Sequence, residues 1–200
     1  MKKILESSLK TAKSYSEYKS MVLELIKEGK STGEIQNDTL FNFSKLNNQR
    51  MKRLDKQASL SEGSLNKTRE IVNDFSRVVL NESCCGDAAQ TLPILNKFAE
   101  TNEKIDFKVV LRDENEELMN RFLTNGSKSI PKLIVIDNSS KQVLKTWGPR
   151  TQKASKMVLD YKKEHGKIDE TIKTELQKWY NQDKGSQIEK ELIEIINEMV

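Results

Sequence analysis

The stretch from Arg77 to Pro93 constrains this chain more than any other. Val78 to Leu80 is a short β-branched run without charge, and polar residues follow it. The small residues Gly86 to Ala89 then open a helical pattern. That order predicts a buried strand feeding a helix N-terminus, with Cys84 and Cys85 at the junction. A thiol there gains thiolate character from unpaired backbone N–H groups and the helix dipole, so a pKa for Cys85 below the free value of about 8.5 is expected. Any chemistry the chain performs is expected at this turn.

The rest of the composition excludes more than it proposes. In 200 residues, 36% are hydrophobic and 32% charged, which suits one well-solvated domain with elaborations. The net charge is +4, but lysines alternate with glutamates almost everywhere, so the surface does not read as a nucleic-acid footprint. Met1 to Tyr18 holds no apolar run long enough for a signal peptide or a membrane span, and a cytoplasmic location is expected. Two adjacent cysteines cannot form a secreted-type staple. With one histidine and scattered carboxylates there is no metal-ligand spacing, and no cofactor is expected. His165, beside Gly166, reads as a helix-end residue rather than a base.

Taken in order, Ser14 to Glu17 is a capping-box pattern, and Tyr15, Tyr18, Val22, Leu25 and Ile26 recur at helical spacing after it. A second helix is expected from Thr39 to Leu54, with Leu40, Phe43, Leu46 and Met51 inward and Arg50, Lys52, Arg53 and Lys56 in water. A third runs from Leu65 to Phe75. Strands are expected at 78–82, 105–111, 132–137 and 142–147, the last two as a hairpin. Helices follow at about Gly86 to Thr101, interrupted by Pro93, at Asn115 to Leu123, and at Thr151 to His165. Ile168 to Tyr180 reads as a further helix, and Ser186 to Glu189 reads as a second capping box opening the last one. Pattern alone reaches an α/β domain with a mixed sheet covered by helices.

Cys85-Gly86-Asp87-Ala88 resembles the active-site turn of the thioredoxin superfamily, with Ala88 where a second cysteine usually stands. Pro93 resembles the proline that bends the first helix of that fold. Ser129 to Leu133 resembles the segment carrying its cis-proline at Pro131, and Trp147-Gly148 resembles the end of its last strand. The turn is most similar to that of bacterial thioredoxin-like proteins reading Trp-Cys-Gly-Asp-Ala-Ala-Gln, with Cys84 in the place of the tryptophan. The resemblance implies a thioredoxin-like fold with a central mixed four-stranded sheet. It would comprise an N-terminal helical extension at 1–75, the thioredoxin-like domain at 76–165, and a C-terminal helical extension at 166–200.

The resemblance makes Cys85 the attacking thiol, supported by Cys84, Gly86, Asp87 and Ala88, with the backbone of Ile130 before Pro131 pairing with substrate. It implies monothiol exchange through a mixed disulfide, because Ala88 cannot resolve one and Val79 stands where thioredoxins carry a buried acid. The partner would be a protein or small-molecule thiol or disulfide, glutathione among them, with neither nucleic acid nor membrane implied. Two alternatives stay open: a non-catalytic binding or chaperone-like module using the groove beside Pro131, and a glutaredoxin-like or glutathione-dependent activity. A vicinal Cys84–Cys85 disulfide is disfavoured, since bridged Cα atoms normally lie about 4.4–6.8 Å apart and adjacent ones about 3.8 Å. Packing is the preferred reading of Cys84. The sequence names no oligomeric state.

Overall fold

A computed structural model describes residues 1–199. Among these, strands β1 (Lys13–Ser14), β2 (Phe75–Asn81), β3 (Ile105–Leu111), β4 (Lys132–Asp137) and β5 (Val143–Trp147) form one sheet in the order β1-β3-β2-β4-β5. The helices are α1 (Lys2–Thr11), α2 (Tyr15–Lys27), α3 (Asp38–Gln57), α4 (Glu62–Arg69), α5 (Gly86–Thr101), α6 (Glu116–Met119), α7 (Gln152–His165), α8 (Glu170–Asp183) and α9 (Ser186–Asn197). β2 runs parallel to β3 and antiparallel to β4, and β5 returns antiparallel on β4. The sheet is therefore mixed, with β2 at its centre. No helix among the described residues is long and apolar enough to cross a membrane.

All seven residues of β2 are buried because both faces of the sheet are covered. Side chains alternate along a strand, so Val78 and Leu80 point to one face, while Phe75, Arg77 and Val79 point to the other. On the first face Val110, Ile134 and Ile136 join them under Leu5 of α1 and Leu118 and Met119 of α6. On the second, Val109, Leu133 and Val135 pack beneath Leu92, Leu95 and Phe98 of α5. Tyr18, Met51, Ile172, Leu192 and Ile196 extend this larger core into both terminal segments. Helix α5 continues through Pro93 to Thr101.

Several expectations shift. The third helix stops at Arg69, and Phe75 begins β2, so the strand is longer than Val78 to Leu80. α1 and β1 carry no strong signal: α1 presents few large apolar side chains, and β1 is a two-residue edge pairing with Val109 and Lys108. The Ser14–Glu17 capping box forms. The Ser186–Glu189 box does not, because Gly185 caps α9 with φ +87° and Asp183 takes the Gln187 amide at 3.0 Å. Glu189 instead accepts from the Ser61 amide at 2.8 Å, which ties α9 to the N-terminal segment. α3 is rotated from its expected orientation: Ser44, Asn47, Asn48, Met51 and Leu54 face inward, while Leu46 is 42% exposed.

Arg77 ended the apolar run in the sequence, yet it is only 2% exposed. Its guanidinium lies 5.5 Å over the Phe98 ring, and Nη1 has no hydrogen-bond partner among the described residues. Burial lowers its pKa to about 10. A cation–π contact offsets only part of the desolvation of such a charge. We therefore expect Arg77→Met to raise the stability of the fold by about 1–3 kcal/mol in urea unfolding at neutral pH. The unfolded chain holds this proton more tightly than the folded one, so the wild type gains stability as pH rises through 10 and the advantage of the variant narrows there. An unchanged or lower urea midpoint would show that the buried charge is fully compensated.

Candidate functional site at the cysteine turn

β2 ends inside the protein, so the backbone leaving it needs partners that water cannot supply. Groups from the N-terminal helices and from the loop between α2 and α3 provide them. Asn81 Nδ2 donates to the Tyr18 hydroxyl at 2.8 Å, and Asn47 Nδ2 donates to the Ser83 carbonyl at 2.9 Å. The Ser83 amide donates to Thr32 Oγ1 at 2.7 Å, and the Thr32 amide donates back to Ser83 Oγ at 3.0 Å. Ser44 Oγ lies 2.7 Å from the same Ser83 hydroxyl. This network fixes the loop that carries Glu82, Ser83 and Cys84. Glu82 is a buried acid on it, accepting from the Asp113 amide at 3.0 Å, and burial raises its pKa. No pattern in the sequence marked it.

Cys85 is the N-cap of α5, and Gly86, Asp87 and Ala88 form the first turn. The Ile130–Pro131 bond is cis and stands opposite, and the Cys85 thiol donates to the Ile130 carbonyl at 3.3 Å. Gly148, at φ +103°, closes the back of this segment; a Cβ there would lie 2.3 Å from the Pro131 carbonyl oxygen. Cys85, Ile130 and Pro131 are thus brought together, although their segments lie far apart in the chain. Both cysteines are free and half-buried.

The electrostatics correct the expected thiol pKa. Burial and the neighbouring Asp87 charge push the Cys85 thiol up from 9.0 to about 12, against the Ala88 and Asp87 amides, which favour the thiolate. The helix N-terminus and the opposing Asp87 charge are both visible in the sequence, whereas the burial that outweighs the helix end is not. A carbonyl as the hydrogen-bond partner also favours the protonated thiol, since it cannot donate to a thiolate. Burial raises the Cys84 pKa as well, with Glu82 adding to the effect.

Asp87 is 7% exposed and held from two sides. Arg150 pairs with its Oδ2 at 2.7 Å, and the Tyr180 hydroxyl donates to Oδ1 at 3.0 Å. Burial raises the Asp87 pKa despite both partners. Gln90 Nε2 donates to Gln177 Oε1 at 2.9 Å, so α8 lies across the first turns of α5. On the other side, Arg50 donates to Asn47 Oδ1 at 2.7 Å, and Arg53 reaches Asn181 of α8 at 2.6 Å. A groove of about 480 Å³ remains between α3 and α8, with Cys84, Gly86 and Asp87 at its floor. Ala88 is buried away from it. Among the described residues no three histidine, cysteine or acidic side chains gather to hold a metal ion.

The sequence does not mark Arg150, Gln177 and Tyr180 as site residues, and it reads Arg50 as part of a solvated helix face. Tyr180 carried a usable signal, because Ile172, Leu176 and Tyr180 recur every four residues and all three are buried. Its hydroxyl donates to a charged acceptor, and such a bond contributes about 1.5–3 kcal/mol. Tyr180→Phe is accordingly expected to cost about 1–3 kcal/mol in urea unfolding. Loss of less than a few tenths would show that Asp87 finds another donor.

Comparisons with known proteins bear on this site. A family model described as Thioredoxin matches residues 33–165. No curated protein matches the sequence significantly. Among solved structures, a protein of unknown function from Pseudomonas aeruginosa superposes with a TM-score of 0.59 at 16% identity, covering 94% of this chain and 99% of that one. An HIV epitope-scaffold gives a TM-score of 0.57 at 16% identity, covering 92% and 98%. Coverage of this extent takes in most of both helical extensions, and at such identity it speaks for the fold alone. The family match spans well over half of the sequence, with the cysteine turn and the Pro131 segment inside it: the chain belongs to the thioredoxin family.

Proposed function

We propose that this protein is a non-catalytic binding module of the thioredoxin fold, in which the cysteine turn forms the floor of a ligand groove. One observation carries the reading: the Cys85 thiol gives its hydrogen to the Ile130 carbonyl, the backbone that the family resemblance assigns to substrate. The nucleophile and the substrate-pairing strand satisfy each other. Three further features favour the same reading. The raised thiol pKa leaves little thiolate near neutrality, Ala88 supplies no resolving thiol, and α8 lies across the turn through Tyr180 and Gln177. The open space lies between α3 and α8 and reaches Cys84 rather than Cys85, so the ligand site of the module is that groove and not the strand beside Pro131.

Monothiol exchange at Cys85 is the competing reading, and alkylation separates the two. Thiolate is the reactive form, and a thiol at about 12 holds on the order of a thousandfold less of it at pH 7 than a free cysteine. The measurement is iodoacetamide alkylation against pH for wild type, Cys84→Ala and Cys85→Ala, with mass spectrometry after adding a small disulfide. In Cys84→Ala the remaining thiol should alkylate slowly below pH 10 and form no adduct, while the urea-unfolded chain reacts at the ordinary rate. Because folding raises this pKa, stability from this group is lost as pH climbs from 9 toward 12. A Cys85 midpoint below about 8.5, together with a mixed disulfide, would make the chain a monothiol exchanger instead.

A further inference from the structure

We propose that the groove between α3 and α8 binds a small carboxylate-bearing molecule with an apolar body, its carboxylate seated beside Arg50 over the first turn of α5. This rests on the reading of the chain as a binding module and names what the module takes.

The volume of about 480 Å³ falls within the roughly 300–1,000 Å³ typical of small-molecule sites. Phe43, Leu46 and Leu176 give it apolar walls. Arg53 and Asn181 join the two helices at 2.6 Å, which bounds the groove and favours a small molecule over an extended chain.

The charges select the ligand. Arg50 is half-buried, and no carboxylate pairs with it among the described residues. Burial lowers its pKa, and the neighbouring Arg53 adds to the effect. Its Nη1 stands 3.6 Å from the position a Gly86 Cβ would take, so the guanidinium lies over the N-terminus of α5. The helix dipole is positive at that end. Folding therefore holds a partly desolvated cation against a second cation and a positive helix end, an arrangement that costs free energy until an anion enters.

The two acids lining the groove have other partners. Both Asp87 oxygens are engaged, one by Arg150 and the other by Tyr180. Glu170 pairs with Lys173 at 2.6 Å. Arg150 also lines the groove, where its guanidinium is held by Asp87. One half-buried guanidinium that bonds the neutral Asn47 amide and has no acid paired with it among the described residues suits a carboxylate, whose two oxygens an arginine can hold together. The glycine at 86 keeps the floor low: a Cβ would come 3.1 Å from Gln177 Nε2 and occupy the space beneath the guanidinium.

The test is a titration of the full chain, followed by amide NMR shifts, with 4-phenylbutyrate and its uncharged amide as paired probes. The acid is expected to shift Cys84, Gly86 and Gln177 and to saturate in the millimolar range, with the amide at least about tenfold weaker. Arg50→Gln should weaken the acid by about tenfold and leave the amide unchanged, while Leu46→Ala should weaken both. Equal binding of acid and amide, insensitivity of the acid to Arg50→Gln, shifts centred elsewhere, or no binding of either probe would each overturn the assignment. A reactive Cys85 in the alkylation experiment, alongside an acid-selective groove, would instead remove the non-catalytic reading and leave the carboxylate site standing.

Discussion

The structure depends on one constraint: a strand buried on both faces must hand its backbone to a loop that water does not reach. Ser83 is where that constraint is met. Its amide, carbonyl and hydroxyl all have partners from the first fifty residues. Those partners cannot be apolar, which explains why the inner face of α3 carries Ser44 and Asn47 above Met51 and Leu54. The N-terminal helices are thus a condition for the cysteine turn to keep its shape. The C-terminal helices do the corresponding work on the far side of the turn through Asp87, and α9 anchors there by accepting from the Trp147 indole at 2.6 Å through Glu191.

The same enclosure decides the chemistry. At an exposed helix N-terminus a thiol is acidified, because unpaired amides and the dipole act without a competing desolvation cost. Here the helical layers desolvate the thiol, and an acid sits two positions away, so the balance reverses. A family fold can keep its turn, its proline and its strand order while the covering helices set whether the thiol is a nucleophile or a hydrogen-bond donor.

What the sequence disclosed follows from which interactions are local. The turn at Cys85, the β3 and β4 ranges and the Ser14–Glu17 cap rest on neighbours in the chain, and they could be read. Arg77 and Phe75 could not be placed in β2 by composition, because a charged residue inside a buried strand breaks the pattern that marks such strands. The orientation of α3 is hidden for a related reason: hydrophobic periodicity assigns Leu46 inward and Arg50 outward, whereas the inner surface meets polar backbone. Ser186 carried a capping signature, but Gly185 in a left-handed conformation and Asp183 took the cap first. The groove is least legible of all, since its walls come from opposite ends of the chain.

That last fact bears on the order in which the molecule assembles. Arg53 and Asn181 are 128 positions apart, and contacts of such separation form only after the entropy of closing the intervening chain has been paid. The pairing of β4 with β5 and the winding of α5 involve much shorter separations. A chain whose sheet is complete but whose α8 has not docked has the cysteine turn without its cover, the burial that raises the thiol pKa being then incomplete. The docked helix is also a unit whose release need not melt the sheet. A helix far along the chain thus governs how completely the Cys85 thiol is buried, and with it how much thiolate the turn can hold.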